Sequence, residues 1–182
     1  DKTRQAMWET VERAGLAHLQ CTGARVRSVL SDPSADPQGV LVALYNDLID
    51  ESQAKVRHAA EALGWRGFPA DGALPKIRET LLVLMQQEVE QFLRRDAVEV
   101  LARAMDAAFV HDGVELRSYE SEGSAAARYS EVREGLEAYV RSLGTVRLEG
   151  REISVPGEQI DEVLKRADDE WGKMHSNVRD GL

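Results

Sequence analysis

The stretch PKIRETLLVLMQQEVEQFLRRDAVEVLARAMDAAF, Pro75–Phe109, decides the fold class. Ile77, Leu81, Leu82, Leu84, Met85, Val89, Phe92 and Leu93 recur at helical steps, and Val100, Leu101, Ala104, Met105, Ala108 and Phe109 continue them. Such spacing lays one apolar stripe along a 3.6-residue helix, whereas a strand would alternate at every second residue. Pro75 suits the first turn, where its missing N–H costs nothing. At about 1.5 Å per residue the run extends roughly 50 Å. Asp96 predicts a kink within it, because Asp caps helices better than it continues them.

Working outward, the same period appears on both sides. Trp8, Val11, Gly15, Leu19, Gly23, Val26 and Leu30 predict a first helix over Thr3–Leu30. Asp36 followed by Pro37 is a helix-start signal for a second helix carrying Leu41, Leu44, Tyr45, Leu48, Ile49, Val56, Ala59 and Leu63. Gly64 suits the left-handed position just past its end, and Trp65 to Gly72 reads as a loop with two aromatic anchors. Downstream, His111-Asp112-Gly113 breaks the pattern, and Val114 to Gly123 reads as a short strand or a loop. A fourth helix is expected over Ser124–Leu143, with Ala125, Tyr129, Val132, Leu136, Val140 and Leu143 in its stripe. Thr145–Leu148 and Arg151–Val155, joined by Glu149-Gly150, predict a β-hairpin. Pro156 and Gly157 precede a last helix bearing Ile160, Val163, Leu164, Ala167, Trp171, Met174 and Val178. The expectation is a mainly all-α protein, an antiparallel bundle of long helices with one small C-terminal β-hairpin. Residues 1–111 are expected to supply a three-helix core. Residues 112–182 form an acidic helix–hairpin–helix segment packing on that core or on a partner.

Charge narrows the function classes. The net charge is −9, and residues 112–182 hold 16 acidic against 10 basic residues, which is −6 of it. No basic run exceeds Arg94-Arg95 or Lys165-Arg166, which disfavours binding to a nucleic-acid backbone or an anionic membrane. Uncharged apolar stretches such as Leu81–Met85 are far too short to span a bilayer. A single cysteine, Cys21, excludes an internal disulfide and fits a reducing compartment, so the cytoplasm is expected. Asp1-Lys2-Thr3-Arg4 opens without an apolar segment and without an initiator Met, which reads as no signal peptide on a processed or excised chain.

Candidate chemistry comes from polar residues placed where apolar ones belong. Glu12 falls inside the first stripe with Glu9 at its edge, and Glu88 falls between Leu84 and Phe92. Asp47, Glu51 and His58 follow one edge of the second helix. A buried carboxylate needs a cation, a metal or a proton, and facing carboxylates in a bundle are how divalent-metal sites are built. Glu9, Glu12 and Glu88 are therefore the catalytic candidates. Glu12, Asp47, Glu51 and Glu88 are the metal-ligand candidates, with magnesium as the cofactor. The bland reading is a paired or half-exposed position, and it is preferred.

Glu9-x-x-Glu12 resembles one carboxylate pair of the all-α nucleotide pyrophosphohydrolases, which hold magnesium with Glu-x-x-Glu on one helix and Glu-x-x-Asp on the next. Asp47-Leu48-Ile49-Asp50 is the candidate for the second pair. It departs in residue type, and Asp50 lies about 180° around the helix from Leu41. The match covers four residues, and membership of the family is not inferred from it. His18, His58, His111 and His175 make no zinc-finger spacing, and neither Gly-x-Ser-x-Gly nor a phosphate-binding Gly-rich loop occurs. Cys21 has Arg25 one turn on but reads as an inert helical thiol.

Trp65, Phe68 and, in the last helix, Trp171 are the candidate partner-binding residues, since buried aromatics dominate interface energetics. For the loop pair, stapling the loop onto the bundle end is the preferred role. Arg147 and Arg151 are expected to form cross-strand salt bridges with Glu149 and Glu152. The sequence thus leans away from an enzyme and from any cofactor. It favours a non-enzymatic helical interaction module (regulatory, adaptor or assembly protein) whose amphipathic helix faces pair with a protein partner or with itself as a homodimer. The alternative is a magnesium-dependent all-α phosphohydrolase.

Overall fold

The computed structural model describes residues 2–109 and 122–174. The expected break at His111–Gly113, most of the segment from Val114 and the stripe position Val178 lie outside them. Within the described residues the chain is mainly helical with one antiparallel two-stranded sheet.

Helix α1 (Lys2–His18) and helix α2 (Thr22–Leu30) form one rod interrupted by a 3₁₀ turn at Leu19–Cys21. The Thr22 hydroxyl donates to the Leu19 carbonyl at 2.6 Å at that turn, so the first helix is tightened where a continuous one was expected. Helix α3 (Pro37–Ala62) starts as the Asp-Pro pair predicts: Asp36 accepts from the Gly39 amide at 3.1 Å, with Pro37 in the first turn. It ends in a Schellman motif. Gly64 has φ +69°, its amide donates to the Glu61 carbonyl at 2.9 Å, and the Trp65 amide reaches the Ala60 carbonyl at 2.9 Å. Helix α4 (Leu74–Arg95) and helix α5 (Ala97–Phe109) meet at Asp96, the expected kink.

Register follows from close approaches. Gly15 lies against Val56 and Ile77, and the absence of a side chain there lets α1 settle between α3 and α4. The rod and α3 run antiparallel; α4 runs parallel to the rod. Helix α6 (Glu122–Ser142) then leads through strand β1 (Thr145–Leu148) and strand β2 (Arg151–Ser154) to helix α7 (Gly157–Met174). Helix α7 lies along α4 and α5, with the Gln159 side chain on the Glu90 carbonyl and the Trp171 indole N–H on the Leu101 carbonyl at 3.2 Å. Helix α6 runs back along α7, tied by Arg133, whose guanidinium donates twice to Asp168 at 2.8 and 2.7 Å.

The hairpin turn places Glu149 (φ +52°) and Gly150 (φ +76°) in the left-handed region, as a two-residue type I′ turn demands. Both outer edges of this small sheet are capped by glutamines. Gln38 of α3 exchanges two hydrogen bonds with the Arg147 backbone, and Gln86 of α4 donates to the Ser154 carbonyl at 2.6 Å. Those bonds satisfy edge groups that a two-stranded sheet otherwise leaves to solvent. The expected cross-strand salt bridges do not form. Glu149 instead accepts from the Tyr45 hydroxyl at 2.9 Å and lies 3.4 Å from Arg78, which pins the turn to α3 and α4. Burial, then the Glu149 hydrogen bond, pushes the Tyr45 hydroxyl pKa well up. One continuous apolar core holds Val11, Leu41, Met85, Leu101, Val146 and Trp171 together. No described helix is long and apolar enough to cross a membrane.

Candidate functional site: an aromatic bundle end flanked by arginines

The loop after α3 is shaped by backbone before side chains. The Schellman end turns the chain at Gly64, and Gly67 (φ +68°) turns it again. Phe68 and Pro69 then feed a 3₁₀ turn at Ala70–Gly72. These turns fold Trp65 and Phe68 back onto Trp8, which antiparallel packing brings to the same end from the start of α1. The three rings touch pairwise: Trp65 and Phe68 edge-on at 4.8 Å between centroids, Trp8 and Phe68 at 5.1 Å, and Trp8 and Trp65 at 6.3 Å. Gly72 underlies Trp8, where a Cβ would stand 2.7 Å from the indole Cη2.

Glu12 belongs to this end. It accepts from the Trp8 indole N–H at 3.3 Å and from Lys76 Nζ at 2.8 Å, and its side chain is 17% exposed. The carboxylate thereby orients Trp8 and joins α1 to α4, which accounts for an acidic residue in an apolar stripe.

The arginines complete the surface. The Arg4 guanidinium lies over the Trp65 ring, 5.6 Å from its centroid. Trp65, Arg66 and Gly67 form a ridge between two surface hollows. One, of about 610 Å³, is bounded by Arg57, Ala60, Glu61 and Phe68. The other, of about 600 Å³, is bounded by Arg4, Gln5, Trp8 and Pro69. Among the described residues, Arg4, Arg57 and Arg66 are paired with no carboxylate, whereas Arg25, Arg78, Arg133 and Arg141 each are. Leu63, beside the ridge in the chain, is 42% exposed.

The remaining candidates are dispersed. The Glu88 carboxylate rests on Gly23, where a Cβ would be 2.8 Å from its Oε2. Glu88 lies about 18 Å farther along α4 than Lys76, which holds Glu12, so the two glutamates do not share a depth. Glu51 pairs with Arg25 and lies 3.7 Å from His18 Nε2; Glu9 accepts from Gln5 at 3.1 Å; Asp47 and Asp50 are exposed. Among the described residues no three His, Cys, Asp or Glu side chains gather as a metal site would require. The facing-carboxylate cluster expected of Glu12, Asp47, Glu51 and Glu88 is not assembled. Trp171, the third partner-binding candidate, is 0% exposed and hydrogen-bonded within its own chain, so this fold already covers it.

The sequence singled out Trp65 and Phe68, which cluster with Trp8, but not Trp8 itself or the three arginines near them. Trp8 sat in a regular stripe and carried no sign that it faced a loop. The arginines are separated by 53 and 9 positions and meet only when α1 and α3 pack antiparallel. No protein-family model, curated protein or solved structure matches this chain.

Proposed function

We propose that this chain is a non-enzymatic helical interaction module, a regulatory, adaptor or assembly protein whose docking surface is the aromatic bundle end. The observation that carries the reading is the cluster of Trp8, Trp65 and Phe68, half-buried and ringed by arginines that have no carboxylate partner among the described residues. Aromatic and arginine side chains are the residue types that concentrate binding energy at interfaces. The helix stripes serve less well as docking faces, because they are spent on the chain's own core. Among the described residues, Leu63 at 42% and Val83 at 52% are the large apolar side chains left exposed.

The reading is tested by panning a randomised peptide library against the full chain and against a Trp65→Ala/Phe68→Ala variant that keeps its helical circular-dichroism signal. The expected result is a set of peptides that protect residues 63–72 from hydrogen exchange and bind the variant at least about tenfold more weakly. Peptides indifferent to the double substitution, or none at all, would defeat it.

A further inference from the structure

We infer that the bundle end takes an acidic peptide segment carrying a large apolar side chain; this rests on reading that end as a docking surface. The chain has 32 acidic and 23 basic residues, so an arginine on its surface has carboxylates in excess to pair with. Arg25 does so with Glu51, Arg78 with Glu149, and Arg141 with Glu137 and Asp161, whereas Arg13, Arg27, Arg95, Arg147, Arg151 and Arg166, like the three at this end, pair with no described carboxylate. At the aromatic end Arg4, Arg57 and Arg66 are all exposed and share only Glu61 as a nearby acid lining the hollows. Three exposed guanidinium groups without a described carboxylate partner, gathered at one aromatic end, make a local positive patch on a molecule of net charge −9.

The placement of each arginine fits a carboxylate. Arg4 lies over Trp65, and a guanidinium over a ring still offers in-plane N–H donors in the fork geometry that matches a carboxylate. Arg57 borders one hollow, Arg4 the other, and Arg66 the ridge between them. A segment crossing the ridge therefore meets a cation on each side, while the Phe68 side and the Trp8 side offer apolar walls for one large side chain. A long polyanion suits this surface less well. Beyond the arginines it meets a chain of net negative charge, so a nucleic acid gains little from counterion release. A short acidic segment meets only the cationic end.

The test uses the full chain and fluorescence anisotropy with four labelled probes: a short Glu-rich peptide with one central Leu, its Gln-for-Glu counterpart, its Ser-for-Leu counterpart, and a short oligothymidylate. The Glu–Leu peptide is expected to bind at least about tenfold tighter than each of the other three, and to weaken as salt is added. Arg57→Gln/Arg66→Gln is expected to erase the preference for Glu over Gln without moving the melting temperature, since neither guanidinium has a hydrogen-bond or ion-pair partner among the described residues. If the Gln peptide binds as well as the Glu peptide and the double substitution changes nothing, the acidic partner is overturned while the docking surface stands. If the oligothymidylate binds tightest, the partner is a nucleic acid and the inference fails. If no probe binds and panned peptides also avoid residues 63–72, both the inference and the docking reading fall.

Discussion

Gly15 and Gly23 lie on the same helical rod and meet opposite kinds of neighbour. A Cβ on Gly15 would stand 2.6 Å from Val56 Cγ2 and 3.2 Å from the Ser52 carbonyl oxygen, and backbone cannot rotate away. Gly15→Ala is expected to cost ~1–3 kcal/mol through overpacking, read as a lower denaturant midpoint. The three atoms nearest a Cβ on Gly23 all belong to the Glu88 carboxylate, the far end of a half-buried side chain that can swing aside. There the gain in helix propensity, about 1 kcal/mol, decides the sign, and Gly23→Ala is expected to be neutral or stabilising. Glu88 has no hydrogen bond or ion pair among the described residues, so Glu88→Gln is expected to hold or raise the melting temperature. Glu12→Gln keeps an acceptor for the Trp8 indole and gives up only Lys76, which is 60% exposed, so its cost stays below ~1 kcal/mol. Both glutamates were legible in the sequence as interruptions of a stripe. Their resolution was not, because one is answered by a lysine on another helix and the other by a missing side chain.

Between elements, local signals proved readable and spatial ones did not. Asp36-Pro37, Gly64, Asp96 and Glu149-Gly150 each impose a backbone geometry on their own neighbours, and an element boundary falls at each of them. The 3₁₀ turn at Leu19–Cys21 escaped, because its residues keep the apolar spacing of an α-helix. Glu149 escaped too: its partners, Tyr45 and Arg78, come from α3 and α4. The α6–α7 pair carries a test of its electrostatics. Hydrogen bonds from Arg141, then Arg133, hold the Glu137 carboxyl below the usual glutamate range. A group whose folded pKa is depressed contributes stability above its unfolded pKa and loses it as pH falls through the folded value. The melting-temperature gap between the wild type and Arg141→Gln is therefore expected to be present at neutral pH and to close on acidification below about pH 4. A gap independent of pH would assign Arg141 a packing role instead.

For the whole molecule, the helical class carried over, but the site did not, since it depends on which ends of α1 and α3 meet. Trp171 measures how firmly the acidic C-terminal third is joined to the rest. It is 0% exposed, with its N–H on the Leu101 carbonyl, so Trp171→Ala is expected to cost ~3–5 kcal/mol and to lower hydrogen-exchange protection in α5 as well as α7. Loss confined to α7 would mean the contact is peripheral. The same three tryptophans give the most direct test of the docking surface. In a ¹⁵N-labelled sample titrated with a panned peptide, the indole N–H resonances of Trp8 and Trp65 are predicted to shift while that of Trp171 stays fixed. A bound peptide that leaves Trp8 and Trp65 unmoved would contradict the account.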